Sequence, residues 1–170
     1  MRRTTKNLVS GAVTAAVYAA LTFISAAFGI AYGPVQFRIS EALTVLPVFG
    51  PSAIWGLTLG CFISNIASFN AIDMVFGTAA TLCAALLSYL FKNVRIFKLP
   101  LLSMIAPVIV NAVMVGAEIS VFLYPSQASF SGFAIAALWV ALGEVVTCVG
   151  LGGLLYTAVS KNTGLKNFFE

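Results

Sequence analysis

The stretch LVSGAVTAAVYAALTFISAAFGI, residues 8–30, runs for 23 residues without a charged side chain. As a helix it rises about 35 Å, enough to cross the roughly 30 Å hydrocarbon core of a bilayer. It comes after the basic head MRRTTK at residues 1–6. Its apolar core is longer than the roughly 7 to 15 residues of a cleaved signal peptide, so it reads as a membrane span. The rest of the chain has the same character. Of 170 residues, 61% are hydrophobic and 8% charged, against about 25% charged in a soluble domain. Mean hydropathy is +1.04.

Working outward from residue 30, apolar runs recur at 40–49, 52–67, 71–91, 101–123 and 131–159. The breaks between them are GPVQFR at 33–38, GP at 50–51, SFN at 68–70, the basic loop 92–98 and YPSQ at 124–127. Ser40 is placed to cap the short helix at its start, and Gly50-Pro51 to end it. Short loops rich in Lys and Arg stay on the cytoplasmic side, and this settles whether residues 40–67 hold one span or two. With two, Arg2, Arg3, Lys6, Lys92, Arg95, Lys98, Lys161 and Lys166 all fall inside, eight of the nine basic residues. With one, the basic N-terminus would face the side opposite the 92–98 loop and the tail. The expectation is a single all-α integral membrane domain over residues 1–170. It is a polytopic six-helix bundle with both termini cytoplasmic and a second helix too short to cross upright.

Several activities are excluded by residue type. The chain has no histidine and no G-x-x-x-x-G-K-[ST] loop to cradle nucleotide phosphates. Cys61, Cys83 and Cys148 lie far apart inside apolar runs, unlike a disulfide framework or a zinc site, and read as small core residues. No nucleophile, metal cluster or cofactor motif accompanies the acids, so the chain does not read as an enzyme, and neither a metal nor a cofactor is expected.

A charge in the hydrocarbon core costs about 2.5 to 3.5 kcal/mol on insertion scales and calls for a reason. In the six-span topology Glu41, Asp73 and Glu118 lie toward the outer face and Glu144 near the middle of the last span. Arg38, the lone outward basic residue, lies among them. Asn65 and Asn111 join them, and Asn111 and Glu118, seven residues apart, share a helix face. This suits an outward pocket for a small polar ligand carrying hydrogen-bond donors and a positive charge. Trp139, in the outer part of the last span, is placed to stack on a planar ligand. Each residue also has a structural reading. Arg38 and Glu41 are spaced as an i,i+3 ion pair, Asn70 and Asp73 as a helix cap with an acid in the first turn. Glu118 can reach the headgroups, and Asn65, Asn111 and Glu144 can bond between helices. In span one Ala12, Ala16 and Ala20 recur every four residues beside Gly11, Ala15 and Ala19. That stripe allows close helix approach, either within the bundle or to another membrane subunit. Trp55, Tyr32, Tyr89, Tyr124 and Tyr156 fall near span ends, where aromatic belts sit.

Three segments carry a family resemblance: GPVQFRISEALTVLP at 33–47, GCFISN at 60–65 and DMVFGTAATL at 73–82. With them the chain resembles the substrate-binding S components of energy-coupling factor (ECF) vitamin transporters, specifically the queuosine-precursor (QueT) type. The resemblance covers nearly the whole chain. It implies six helices in a bacterial plasma membrane and one ligand bound on the outer side, with no ATPase of the chain's own and no nucleic acid. It implies as partners a transmembrane T component and two cytoplasmic ATPase subunits, besides membrane lipid. The implied ligand is a deazapurine, a 7-deazaguanine derivative such as the aminomethyl form, and the loop 29–38 is the implied lid. On that basis Glu144 and Glu118 face the amine or guanidine-like edge, Asn65 and Asn111 the base edge, and Arg38 with Glu41 the mouth. The rival classes are a stand-alone proton-coupled secondary transporter, an S component for another vitamin, and a non-transporting scaffold subunit. The halves carry no internal repeat of the kind secondary transporters use.

Overall fold

The computed structural model describes residues 3–31, 37–66, 71–125 and 128–170, and every element among them is helical. In chain order these are α1 (Arg3–Ala27), a 3-10 helix (Ile39–Val48), α2 (Ser52–Ile66), α3 (Ala71–Leu90), α4 (Leu101–Glu118), α5 (Phe130–Glu144), α6 (Gly152–Lys161) and α7 (Thr163–Phe169). Helix α4 continues into a π turn at Ile119–Leu123, and α5 is joined to α6 by a π turn at Val145–Leu151. Four helical stretches are long and apolar enough to cross a bilayer: Arg3–Ala27, Ala71–Leu90, Leu101–Leu123 and Phe130–Lys161. Two shorter apolar helices, Ile39–Val48 and Ser52–Ile66, complete the six.

Polarity is reversed relative to a soluble protein. Ser10, Thr14, Thr22, Ser64, Thr81, Ser88 and Ser103 are buried, while Leu8, Val13, Ile109, Ile135, Leu138 and Leu154 are exposed. An apolar exterior over a hydroxyl-lined interior is what lipid demands, since there each polar group must find its partner inside the bundle. The hydroxyls of Ser88 and Ser103 do so, whereas Thr78 Oγ1 is buried without a hydrogen-bond partner. Ser88 Oγ donates to the Ser103 carbonyl at 2.6 Å and Ser103 Oγ returns a bond to the Ser88 carbonyl at 2.8 Å, joining α3 to α4.

The short second helix is wound as a 3-10 helix. Its 10 residues at about 2.0 Å each span only about 20 Å, so it enters part of the bilayer, and Ser40 through Val48 are all buried. Ser40 does not cap it. Arg38 precedes the first turn in extended backbone, and Ser40 Oγ instead accepts from Thr22 Oγ1 of α1 at 2.7 Å. A hydroxyl buried against α1 is used by α1, and the first N–H of the helix, that of Ile39, donates to Ser25 Oγ of α1 at 3.0 Å.

Helices α1 and α2 meet backbone to backbone. A Cβ built on Gly60 would lie 2.7 Å from the Ala15 carbonyl oxygen and 2.8 Å from Tyr18 Cβ. The inner stripe Gly11, Ala15 and Ala19 is buried there, and Ala12, Ala16 and Ala20 face outward. Cys61 and Cys148 are buried as expected of small core residues, whereas Cys83 is exposed.

The basic segments gather at one end. Thr4, Thr5 and Leu8 share a hollow with Trp55 at the start of α2. Gly50 lies against the backbone of Phe169, and Arg95 of the 92–98 loop donates to the Tyr156 hydroxyl. Both ends of the described chain and that loop are therefore on the same side.

Gly60→Ala should force α1 and α2 apart and lower stability by about 1–3 kcal/mol, read as a fall in melting temperature in detergent. Gly150→Ala, where an added Cβ meets nothing within 4 Å, should leave it unchanged.

Candidate functional site

Seven of the residues singled out from sequence are buried inside the bundle: Arg38, Glu41, Asn65, Asp73, Asn111, Glu118 and Glu144. They fall into two networks and one isolated acid.

The first network lies where α1 ends and α2 and α3 meet. Arg38 Nη2 pairs with Asp73 Oδ1 at 3.3 Å, Nη1 donates to Asn65 Oδ1 at 3.4 Å, and Nε donates to the Ala31 carbonyl at 3.1 Å. Asn65 Nδ2 in turn donates to the Asp73 carbonyl at 3.1 Å. Gly77 makes room for this, since a Cβ there would lie 2.8 Å from Asn65 Nδ2 and 3.0 Å from Asp73 Oδ1. The i,i+3 pairing of Arg38 with Glu41 does not form. Arg38 sits in extended backbone ahead of the first turn and points away from the helix, toward α3. Asn70, the other half of the expected α3 cap, lies outside the described residues, as do positions 32–36 of the expected lid.

The second network surrounds the 3-10 helix. Tyr18 of α1 donates to Glu41 Oε1. Asn111 Nδ2 of α4 donates to Glu144 Oε1 at 2.9 Å, and Cys148 Sγ donates to Glu144 Oε2 at 2.9 Å. A carboxylate oxygen of Glu41, one of Glu144 and Cys148 Sγ lie within 4.8 Å of one another, close enough to share a single small ion. Thr44 Oγ1 also reaches Cys148 Sγ, at 3.6 Å.

Glu118 is the last residue of α4 before its π turn, and Glu144 the last of α5 before its own. π turns are rare and frequent at functional sites. Two carboxylate oxygens, Glu41 Oε2 and Glu118 Oε2, are buried with no hydrogen-bond partner. The ion pairs among the described residues are Arg38–Asp73 and Lys166–Glu170, so Glu41, Glu118 and Glu144 are not ion-paired there. Trp139 is half exposed. It walls a cavity of about 220 Å³ between α4 and α5, together with Ile119, Ser120, Tyr124 and Ile135.

Tyr18, Thr44 and Cys148 join the site without being candidates by sequence. Tyr18 alone carries a signal there, being the one tyrosine placed mid-span when Tyr32, Tyr89, Tyr124 and Tyr156 fall near span ends.

A helical bundle with an apolar exterior and a buried, acid-rich interior defines a polytopic membrane protein. The family model for the QueT transporter matches residues 8–161, and the chain belongs to the QueT transporter family, which is a family of transporters and not of enzymes. The chain is also similar to the queuosine precursor transporter QueT of Lactococcus lactis subsp. cremoris (strain MG1363), with 41% identity over 78 residues. That match spans about half of each protein, 46% of this chain and 46% of the relative. No solved structure matches the chain.

Arg38→Met leaves Asp73 as a buried charge without its ion-pair partner. It should cost about 3–5 kcal/mol of stability, and adding Asp73→Leu should recover most of that loss. Thermal unfolding of the single and double variants in detergent checks this.

Proposed function

We propose that this chain is the membrane substrate-binding subunit for uptake of a queuosine precursor, a 7-deazaguanine derivative, in the bacterial plasma membrane. The observation that carries the reading is the buried interior in which three carboxylates, Glu41, Glu118 and Glu144, have no ion-pair partner among the described residues. A planar base rich in N–H donors supplies the charge-assisted bonds that such carboxylates make best. Glu144 and Glu118 receive the amine and the guanidine-like edge, and Asn111 lies beside Glu144 for the base edge. Arg38, Asn65 and Asp73 frame the mouth, and Trp139 offers a stacking wall on the outer part of α5. The basic segments clustered at the other end support an orientation with both termini cytoplasmic.

Energy comes from a separate module, a transmembrane T component with two cytoplasmic ATPase subunits. The outward stripe Ala12, Ala16 and Ala20 is the docking face, because small exposed residues on a spanning helix admit another helix closely. Mass spectrometry of small molecules co-purifying with the protein should find a 7-deazaguanine. Uptake of it by cells should require the ATPase subunits, and uptake without them would mark a stand-alone transporter instead.

Ala16→Phe should abolish close approach on the outer stripe. Uptake is expected to fall at least about tenfold while ligand binding to the isolated, solubilised protein stays within about twofold. Joint loss of both would assign the stripe to packing inside the bundle.

A further inference from the structure

We propose that Glu41 and Glu144 together form a subsite for a protonated amine of the ligand, so that the protein selects a cationic solute over a neutral one of the same shape. This rests on the proposed identity of the ligand as a 7-deazaguanine, and it adds which substituent is recognised and by what.

Arg38 is committed away from Glu41. Its guanidinium is engaged by Asp73 of α3, Asn65 of α2 and the Ala31 carbonyl beyond α1. Glu41 is therefore released from the mouth and lies deep in the bundle, held by the Tyr18 hydroxyl through Oε1. Glu41 Oε2 accepts nothing although the residue is 2% exposed. Across from it stands Glu144, at 6% exposure. Each of its oxygens already holds one neutral donor, Asn111 on one and Cys148 on the other.

A carboxylate oxygen carries about two lone-pair positions, so Glu144 keeps acceptor capacity toward Glu41, and Glu41 Oε2 keeps all of its own. An ammonium group has three N–H donors radiating from one small cation and fits between two carboxylates whose oxygens approach within 4.8 Å. A nitrile has no donor and no positive charge, and would bring its own negative end against two acids. Two buried carboxylates this close are costly when both are charged, and a cation arriving with the ligand would offset that cost. Buried Tyr18, Asn111, Thr44 and Cys148 are neutral groups that hold the pair in place without supplying that charge.

The test titrates the full-length solubilised protein calorimetrically with two probes, 7-aminomethyl-7-deazaguanine and 7-cyano-7-deazaguanine. The wild-type protein should bind the aminomethyl compound about 10- to 150-fold more tightly, the range of a charge-assisted bond to a carboxylate. Glu41→Gln should weaken the aminomethyl compound at least about tenfold and leave the cyano compound within about threefold. Cyano binding then serves as the check that the variant is folded. Glu144→Gln should behave in the same way, and gives the same readout should Glu41→Gln fail to fold. Equal wild-type affinity for the two probes overturns the amine subsite while the deazaguanine reading stands. Parallel loss of both probes in the variants overturns it too, by showing that the acids hold helices together. Failure of both probes to bind the wild-type protein overturns the deazaguanine reading and this inference with it.

Discussion

The arrangement of this protein depends on where its buried arginine goes. Arg38 donates to the Ala31 carbonyl beyond α1, to Asn65 on α2 and to Asp73 on α3. In a water-poor interior an arginine needs its charge matched and its N–H groups satisfied together. A site where three chain segments converge provides both. The same choice removes Arg38 from Glu41, its neighbour in sequence. Exposed i,i+3 pairs on a helix contribute only about 0.2–0.5 kcal/mol, whereas breaking a buried pair costs several times that, so the distant partner wins.

The interior is left with an uneven charge balance. Asp73 is matched by Arg38, whereas Glu41 and Glu144 are held by hydroxyl, amide and thiol donors. Neutral donors orient a carboxylate without cancelling its charge. Hydrocarbon outside the bundle offers nothing further, since the outward faces carry residues such as Leu8, Ile109 and Leu154. The helices can surround this interior closely because glycine and alanine line the α1–α2 seam and Gly77 clears the ground between Asn65 and Asp73.

Much of this is legible in the sequence, for reasons that also explain the rest. The run 101–123 coincides with α4 and its π turn because a long uncharged stretch between polar breaks has few other options in lipid. The one-sidedness of the basic residues orders the segments, and the basic loop and both described ends do lie together. The winding of residues 39–48 is not legible. A segment buried on every side shows no periodicity from which its pitch could be read. The π turns are silent as well, since nothing in ISVFL or VVTCVGL differs from an ordinary apolar helix. The acids stand out by the cost of placing them in lipid, but their pairing cannot be read, because it joins residues 35 positions apart on different segments. Tyr18 is easily passed over because a tyrosine in a membrane span is ordinarily an interfacial residue.

Helix α1 serves two sides of the molecule at once. Residues 16 and 18 are about 200° apart around a helix axis, so Ala16 faces outward while Tyr18, two positions on, holds Glu41 inside. The helix between them has little freedom of its own. Its inner stripe rests against the backbone of α2 at Gly56 and Gly60, and a rearrangement at Glu41 acts on α1 through the Tyr18 hydroxyl. A subunit docking on Ala12, Ala16 and Ala20 as proposed would touch the same helix that holds Glu41 through Tyr18. Linkage then imposes a reciprocity: whatever factor docking applies to ligand affinity, the bound ligand must apply to docking affinity. With the proposed docking stripe and Tyr18 on one helix, those two equilibria would share a structural element.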